Sequence, residues 1–343
     1  MYPERSIVRD VRVLTEQFIP TRILYREGQL YAIRDGMKSL LEGQGTRHMF
    51  VHGPPGTGKT CTARYVSGEL ESYSSDIVQS YNNCWENSSR FRILYNVLRD
   101  VTGSPFIHRK GTPTDEILDS IRRELETKKC VVILDEVDKI EDDLVLYDLS
   151  TMKNVCFLMI ANSATALHAV DNRIRSRLLS AVNIEFPAYK TQEIAGILKD
   201  RAEWGLFPGA MKGAQVERIA QAAAGDCRAA IDMLRVASEE AERKGEERVS
   251  DETLTAALHS AGTFRRKESL GGLNSHQKLI LEVVGGQESM DSGELFRKVL
   301  QLSEERGLEK IVDRTFRGYA EKLVKGSMIK ASGTGRWRKF SPA

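Results

Sequence analysis

Short apolar runs recur through the first half of the chain and alternate with stretches of helical spacing. Five runs predict buried strands, at residues 48–52, 76–80, 130–134, 155–161 and 181–186. Apolar residues three and four apart predict helices between them, at Thr60–Ser72, Ser88–Val101 and Thr114–Thr127. Because strands and helices alternate, we predict an α/β fold with a parallel sheet covered by helices.

Helical spacing alone dominates the middle of the chain, after Pro187. One predicted helix begins at Thr191, and two others cover Val216–Ala224 and Cys227–Lys244. We therefore predict a separate all-α domain that follows the sheet. Residues 260–273 mix glycine and charged residues with little periodicity, which indicates a linker.

The carboxy-terminal part of the chain has three helical patterns and then a hairpin pattern. The helices are predicted at His276–Val284, Ser292–Glu305 and Asp313–Lys325, and the hairpin at Met328–Phe340. Three helices followed by a two-stranded ribbon are typical of a winged helix, a relative of the helix-turn-helix whose third helix enters the DNA major groove. The predicted domains are residues 1–187 for the sheet-bearing base, 188–262 for an α-helical lid and 263–343 for the winged helix.

Composition narrows the class of protein. The chain has 343 residues, of which 41% are hydrophobic and 29% charged, enough for two or three domains with ample cores. It has no apolar run of membrane-spanning length, and its first residues lack the basic and apolar blocks typical of a signal peptide. We therefore expect a protein of the cytoplasm that contacts no membrane. Its five scattered cysteines predict reduced thiols rather than disulfides or zinc ligands.

Charge is unevenly distributed along the chain. From Phe264 onward there are 16 Lys and Arg against 10 Asp and Glu, a net charge of +6, although the whole chain carries only +2. A basic terminal segment suggests contact with a nucleic acid or another polyanion there. A solvated basic surface without a partner is the alternative.

The most informative motif follows the first predicted strand. Residues 53–60 read Gly-Pro-Pro-Gly-Thr-Gly-Lys-Thr, a glycine-rich turn that ends in Lys-Thr at the start of a predicted helix. In such a P-loop the glycines let backbone N–H groups converge on phosphate oxygens. Lys59 is expected to reach the β- and γ-phosphates of ATP or ADP, and Thr60 to hold Mg²⁺. The nucleotide-binding set predicted from this loop is Pro54, Pro55, Gly56, Thr57, Gly58, Lys59, Thr60 and Cys61.

Two later strand ends add polar residues to this loop. Asp135 and Glu136 follow an apolar run in a Walker-B pattern, in which Asp135 binds Mg²⁺ and Glu136 polarises the water that attacks the γ-phosphate. Asn162 follows the next apolar run and can orient water or bond the γ-phosphate through its amide. A turn-forming role is the alternative for Asn162.

Two arginines complete the predicted catalytic set. Arg177, supported by Arg173, lies in a run with arginines at alternate positions and is predicted to reach the γ-phosphate held by a neighbouring subunit. Arg228 falls in the first turn of the helix that Asp226 caps, and is predicted to swing toward a nucleotide between base and lid. Ordinary surface arginines are the alternative at both positions. The predicted catalytic residues are thus Glu136, Asn162, Arg177 and Arg228.

In order and spacing these motifs resemble those of AAA+ ATPases, and more narrowly those of the archaeal origin-recognition and cell-division-control initiators. The narrower resemblance covers nearly the whole chain and rests on five stretches: Phe18-Ile19-Pro20, Arg26-Glu27-x-Gln29, Leu146-Tyr147-Asp148-Leu149, Phe186-Pro187-Ala188-Tyr189 and Gly225-Asp226 through Leu234-Arg235. The first stretch packs near the adenine in that family, so the resemblance adds Ile19, and from the fourth stretch Tyr189, to the nucleotide-binding set. The family also has a DNA-contacting helical insertion, which here lies within Trp85–Pro113 and makes four residues candidate contacts: Arg90, Arg92, Arg109 and Lys110.

Residues of the predicted winged helix are the remaining candidates for DNA contact. Arg314, Thr315 and Arg317 lie on its third helix, where Arg favours guanine and Thr a thymine methyl at base edges in the major groove. The ribbon tip supplies cations and one aromatic ring suited to phosphates and the adjacent minor groove: Arg336, Trp337, Arg338 and Lys339. A winged helix used only for protein contact is the alternative.

Together the residues and the resemblance predict an ATP-dependent DNA replication initiator that binds origin duplex DNA. It is expected to help recruit or load the replicative minichromosome-maintenance helicase, with other initiator paralogues as further partners. ATP is expected to act as a switch with slow hydrolysis, and the expected location is the cytoplasm, in association with the nucleoid. Two alternatives remain: a Holliday-junction branch-migration motor of the AAA+ class, and an ATP-gated DNA-binding regulator without initiator activity.

Overall fold

The computed structural model describes residues 7–43, 47–73, 76–104, 112–260, 273–287, 289–325, 328–333 and 338–342. The chain divides into two compact units, Met1–Leu258 and His259–Ala343. The first unit holds a parallel sheet and the helices of the middle of the chain, and the second holds the carboxy-terminal helices and strands.

A five-stranded parallel sheet forms the centre of the first unit. Its strands, in the order β2-β3-β4-β1-β5, are β1 (Met49–His52), β2 (Ile77–Asn83), β3 (Lys129–Asp135), β4 (Val155–Ala161) and β5 (Val182–Glu185). Because all the pairings are parallel, the carboxyl ends of the strands meet at one edge, where the P-loop follows β1. The predicted α/β fold with a parallel sheet is confirmed.

Helices cover both faces of this sheet. They are α1 (Glu27–Leu41), α2 (Lys59–Tyr73), α3 (Arg90–Thr102), α4 (Thr114–Glu124), α5 (Leu144–Thr151) and α6 (Asn172–Leu178). Successive residues of β3 point to opposite faces. Val131 and Ile133 join the core formed with α1 and α2, whereas Val132 and Leu134 join the core formed with α3, α4 and α5. Both faces are therefore apolar, as expected of a buried parallel sheet.

The polar strand β2 is longer than the sequence pattern predicted, since it continues to Asn83 rather than ending at residue 80. Ser80 and Asn82 are buried within it. The Ser80 hydroxyl donates to Asp100 at 2.7 Å, and the Asn96 amide donates to Asn82 at 2.9 Å. Because these bonds satisfy the buried polar groups, β2 continues through residues whose polarity hides the strand in the sequence.

The helical part of the first unit follows β5. Its helices are α7 (Thr191–Gly205), α8 (Gly213–Ala222), α9 (Cys227–Arg243) and α10 (residues 251–260), whose last two residues already belong to the second unit. Asp226 caps α9, as predicted, by accepting the Ala229 N–H at 3.1 Å. This end of the helix is therefore fixed by a side-chain bond that the sequence pattern identifies.

The amino-terminal segment packs on these helices. It contains a 3₁₀ turn over Val11–Leu14 and a β-bridge between Val8 and Leu206. Sheet and helices belong to one compact unit. The boundary between base and lid, placed at residue 187 by the sequence pattern, stays a prediction.

The second unit has the arrangement of a winged helix. Its elements are α11 (Ser275–Gly285), β6 (Met290–Asp291), α12 (Ser292–Glu305), α13 (Asp313–Lys325), β7 (Ile329–Ser332) and β8 (Lys339–Pro342). The predicted two-stranded ribbon is present as β7 and β8. The short β6, which was not predicted, also pairs with β8, so the antiparallel sheet has three strands in the order β6-β8-β7. Across the described part of the chain, every helix is too short or too polar to cross a membrane.

Candidate functional site

A cavity of about 630 Å³ lies in the first unit, where the carboxyl ends of β1, β2, β3 and β4 meet. Most of the residues predicted for nucleotide, metal and catalysis line it: Ile19, Pro55, Gly56, Thr57, Gly58, Lys59, Thr60, Cys61, Asp135, Glu136, Asn162, Tyr189 and Arg228. Pro54 and Arg177 are not among its lining residues. The fold thus brings into one cavity residues from the amino-terminal segment, the P-loop, two strand ends and α9.

The P-loop makes close contacts that only glycine permits. Gly56 has a φ of 72° and Gly58 a φ of 88°, the left-handed region that side chains rarely adopt. A Cβ on Gly56 would collide with the Asp226 carboxylate, and one on Gly58 would lie 2.9 Å from the Tyr189 hydroxyl. The loop therefore lies directly against Tyr189, just before α7, and against Asp226, the cap of α9.

Lys59 lies within the P-loop. Its Nζ donates to the carbonyl oxygens of Gly53 (2.6 Å) and Pro54 (2.8 Å) and to Asn162 Oδ1 (3.1 Å). Burial lowers the pKa of Lys59 to about 8, and the positive charge of Arg228 acts in the same direction. The structure therefore joins the predicted phosphate-binding lysine to the predicted sensor at the end of β4.

Asp135 and Thr60 are in direct contact. The Thr60 hydroxyl donates to Asp135 Oδ2 at 2.8 Å, and the Tyr81 hydroxyl donates to the same oxygen at 2.9 Å. Burial raises the pKa of Tyr81, so its phenol stays protonated and remains a donor. The sequence pattern did not identify Tyr81, because its place beside Asp135 depends on the strand register.

Glu136 follows Asp135 in an unusual backbone conformation. Its φ of 55° and ψ of 48° lie in the left-handed region, and its N–H donates to Asp135 Oδ1 at 3.0 Å. Non-glycine residues in this region cluster at functional sites, where surrounding structure holds them in place. This conformation orients the Glu136 side chain among the residues that line the cavity.

Arg228 lies at the start of α9 and forms an ion pair with Glu16 at 2.9 Å. Both side chains are about half exposed, so the pair is weak. The preceding residue, Cys227, donates its N–H to the carbonyl oxygen of Gly56 at 3.0 Å. The amino terminus of α9 is therefore hydrogen-bonded directly to the P-loop.

Arg26 is a buried cation, and its sequence motif alone predicts no role for it. Its Nε donates to the Thr57 carbonyl at 3.1 Å and its Nη2 to the Pro187 carbonyl at 2.7 Å. Its guanidinium carbon lies 3.6 Å from the centre of the Tyr189 ring. Arg26 thus connects the P-loop with the segment that leads from β5 into α7.

Three predicted nucleotide-binding residues form the less polar part of the cavity. Ile19 is 42% exposed, Cys61 is half-buried and Tyr189 is buried. Burial raises the pKa of both the Cys61 thiol and the Tyr189 phenol. These side chains are therefore uncharged at neutral pH and offer apolar surface for a planar base.

Arg177 lies on α6, outside the cavity lining. It is exposed, and its guanidinium carbon lies 4.8 Å from the centre of the Tyr147 ring. Arg173, on the same helix, is also exposed. Their predicted action on a neighbouring subunit stays a prediction.

The candidate DNA contacts between β2 and α4 have different surroundings. Arg90 forms a bidentate ion pair with the buried Asp148, at 2.6 and 3.2 Å, which argues against the predicted DNA contact by this residue. Arg92 donates to the Glu86 carbonyl at 3.3 Å. Arg109 and Lys110 lie outside the described residues.

The candidate DNA contacts of the second unit lie on α13 and β8. Arg314 and Lys339 are exposed, and Thr315 is half-buried. Arg317 pairs with Asp313 at 2.7 Å, and Arg338 contacts Glu321 at 3.4 Å, both at the surface. Two further candidates lie outside the described residues: Arg336 and Trp337. Surface pairs of this kind are weak enough to exchange for phosphate contacts.

Two protein-family models match the chain. The Cdc6 AAA+ ATPase-type lid domain matches residues 195–259, and the AAA domain matches residues 42–169. The first match covers most of the helical part of the first unit, and the second covers β1 to β4 with the P-loop and the Asp135–Glu136 pair.

Individual proteins match almost the whole chain. ORC1-type DNA replication protein 9 of Halobacterium salinarum is 33% identical over 98% of this chain and 94% of its own length. The ORC1 protein of Aeropyrum pernix, whose structure was solved in complex with DNA, is 27% identical with a TM-score of 0.68, covering 98% of this chain and 94% of that one. The Aeropyrum pernix ORC2 protein has the same coverage and a TM-score of 0.81 at 24% identity, which is a likeness of fold.

Proposed function

The chain belongs to the ORC1-type DNA replication proteins, and from this membership we propose that it is an ATP-dependent initiator that binds origin duplex DNA and helps to recruit or load the replicative minichromosome-maintenance helicase. The observation that carries the proposal is the joining of Lys59 to Asn162 and of Thr60 to Asp135 inside one cavity. These contacts bring the phosphate-binding lysine and the oxygen ligands for Mg²⁺ together at the strand ends, where a nucleoside triphosphate would bind.

ATP or ADP is the proposed ligand of the cavity. Backbone N–H groups of residues 56–60 and Lys59 would bind the phosphates, and the apolar surface near Ile19 and Tyr189 would take the base. The Aeropyrum ORC2 structures hold ADP or ADPNP with ADP, in agreement with this proposal.

Thr60 and Asp135 fit a magnesium ion. Their side-chain oxygens lie 2.8 Å apart at the carboxyl end of β3, and Mg²⁺ prefers oxygen ligands together with phosphates. When bound, the ion would neutralise charge on the phosphate oxygens. Glu136 and Asn162 would orient water beside the γ-phosphate.

Nucleotide turnover is proposed to be slow, with ATP acting as a switch. Arg177 lies outside the cavity lining, so an arginine for the γ-phosphate would come from α6 of a neighbouring subunit. Arg228 would move from Glu16 to the γ-phosphate when ATP binds, because a triphosphate carries more charge than one carboxylate.

Duplex DNA is the proposed partner of the second unit. Arg314, Arg317 and Lys339 provide exposed positive charge on α13 and β8, and the ORC1 relative from Aeropyrum was solved with DNA. We propose that the protein acts in association with the nucleoid, with other initiator paralogues as further partners. The family membership favours this function over a branch-migration motor or a regulator without initiator activity.

The proposal is tested by equilibrium binding of a fluorescent ATP analogue, followed by DNA binding in the presence and absence of ATP. The unmodified chain is expected to bind the analogue, and Lys59→Ala to lose roughly a hundredfold in affinity, because it removes charge-assisted hydrogen bonds to phosphate. Equal affinities, or no affinity at all, would contradict the nucleotide site. Gel filtration with ATP adds the oligomeric state, since a motor requires a stable ring and an initiator does not.

A further inference from the structure

Asp135 is held by hydrogen bonds at each of its oxygen atoms. Its Oδ2 accepts the hydroxyls of Thr60 (2.8 Å) and Tyr81 (2.9 Å), and its Oδ1 accepts the N–H of Glu136 (3.0 Å). Its backbone carbonyl accepts the N–H of Cys84 at 2.8 Å. Two of these donors, Tyr81 and Cys84, come from the end of β2 and the residue after it.

The position of Tyr81 is set by the strand register and by α2. Tyr81 is paired with Ile133 in the parallel β2–β3 ladder. Because Gln79 lies two residues earlier in the same strand, the side chains of Gln79 and Tyr81 share one face of the sheet. The Gln79 amide donates to the Ser67 carbonyl of α2 at 2.9 Å, which identifies this face as the one that α2 covers.

The ring of Tyr81 has a cation beside it. The guanidinium carbon of Arg64, also on α2, lies 4.0 Å from the ring centre. Because strand and helix hold the ring from two sides, the phenol oxygen is presented to Asp135 in one orientation.

Tyr81 and Thr60 differ in what they do for the carboxylate. Thr60 is itself a proposed metal ligand, so its hydroxyl serves both the ion and Asp135. Tyr81 reaches only Asp135 Oδ2 among the described metal-site residues. Carboxylates that ligate metals are themselves fixed by such outer hydrogen bonds, and losing one commonly costs about tenfold to a hundredfold in metal affinity or activity.

We propose that Tyr81 is a positioning residue that holds the Asp135 carboxylate in the orientation required for Mg²⁺, a role that rests on the function proposed above. The ion and the nucleotide phosphates would meet a carboxylate that is already oriented. The backbone N–H of Glu136 donates to the other oxygen of this carboxylate. By fixing the Asp135 carboxylate, the Tyr81 hydrogen bond therefore also helps to fix the backbone of Glu136.

The test is a titration of Mg²⁺ into the full chain with a fluorescent ADP analogue, for the unmodified protein, Tyr81→Phe and Tyr65→Phe. Tyr81→Phe keeps the ring beside Arg64 and removes only the hydroxyl. Tyr65→Phe is the matched control on α2, since its hydroxyl donates to the Thr21 carbonyl at 3.2 Å, away from Asp135. Thermal unfolding in EDTA checks that the three proteins are equally folded.

We expect Tyr81→Phe to raise the half-saturating Mg²⁺ concentration by about tenfold or more, with unchanged ADP affinity in EDTA. Tyr65→Phe should match the unmodified chain in both measurements. The role of Tyr81 is overturned if its variant needs no more Mg²⁺ than Tyr65→Phe, or if it loses as much affinity in EDTA as in Mg²⁺. If the unmodified chain binds no nucleotide, the proposed function fails first and this role fails with it.

Discussion

The backbone N–H of Cys227, the first residue of α9, donates to the carbonyl oxygen of Gly56 in the P-loop across 3.0 Å. At the same point the Asp226 carboxylate occupies the space where a side chain on Gly56 would begin. The phosphate-binding loop and the amino terminus of α9 are therefore in direct contact, so a displacement of one requires a displacement of the other.

This contact predicts a strong effect of Gly56→Ala. The added methyl group would collide with Asp226 and would sit at a φ of 72°, so we expect a loss of about 1–3 kcal/mol in the free energy of unfolding and a loss of nucleotide affinity. Chemical denaturation and equilibrium nucleotide binding measure the two effects.

Gly68→Ala is the matched control for that variant. Gly68 lies on α2, where an added Cβ meets no atom within 4 Å, so alanine should stabilise the helix by up to about 1 kcal/mol. If both alanine variants changed stability and affinity alike, the contact between Gly56 and α9 would have no energetic weight.

The burial of His48 predicts that the free energy of unfolding decreases at low pH. It is buried, its ring stacks on that of Phe157 at 3.7 Å, and burial lowers its pKa from 6.5 to about 4. A depressed folded-state pKa contributes stability that is present above pH 6.5 and is lost as pH falls toward 4, by about 3 kcal/mol at pH 4.

The measurement for His48 is the free energy of unfolding by urea between pH 7.5 and pH 4, for the unmodified chain and His48→Asn. Asparagine keeps an acceptor for the Phe157 N–H, which His48 Nδ1 accepts at 3.4 Å, but it does not titrate. The curve of the variant should be flatter by about 3 kcal/mol over this range. Parallel curves for the two proteins would exclude His48 as the source.

The ion pair with Asp148 predicts that Arg90, a candidate DNA contact in the sequence, instead stabilises the fold. Arg90→Ala would leave the buried Asp148 carboxylate without its bidentate partner, so we expect a loss of about 2 kcal/mol in the free energy of unfolding. Arg92→Ala, which removes a surface bond to a carbonyl, should cost much less. Equal losses on chemical denaturation would remove this assignment.

Replacing Lys339 is expected to change how strongly the affinity for DNA depends on salt concentration. It is exposed on β8, and if it neutralises one phosphate, Lys339→Ala should reduce the slope of log affinity against log salt concentration by about 0.9, on any duplex sequence. Arg306→Ala is the control, because Arg306 lies at the end of α12, outside the candidate elements α13 and β8, and forms a bidentate pair with Glu282 at 2.7 and 2.9 Å. An unchanged slope for Lys339→Ala would place the phosphate contacts elsewhere.

The strands and loops that build the site could be predicted because their signals are local. An apolar run followed by Gly53 to Thr60, or by Asp135 and Glu136, specifies strand, turn and chemistry within a few residues. The winged helix was predicted for the same reason, apart from β6, which has only two residues and forms through pairing with β8.

The contacts between distant segments could not be predicted in this way. Tyr81 reaches Asp135 only because the β2–β3 register brings them together, and Arg26 is buried only because Thr57 and Pro187 supply carbonyl oxygens. Arg90 was a candidate DNA contact because the family resemblance places it in the helical insertion, whereas its partner Asp148 lies on another helix. Tertiary packing, which local patterns do not encode, decides which polar residues are satisfied internally and which remain for ligands.

The most direct test of the account is a chromosome-wide map of the positions that the protein occupies in living cells, made with the unmodified chain and with Lys59→Ala. The account predicts that the unmodified chain concentrates at a few positions where repeated elements adjoin an unwinding region, and that Lys59→Ala changes this occupancy. Protection of many promoters instead, or identical maps for the two proteins, would contradict an ATP-dependent replication initiator.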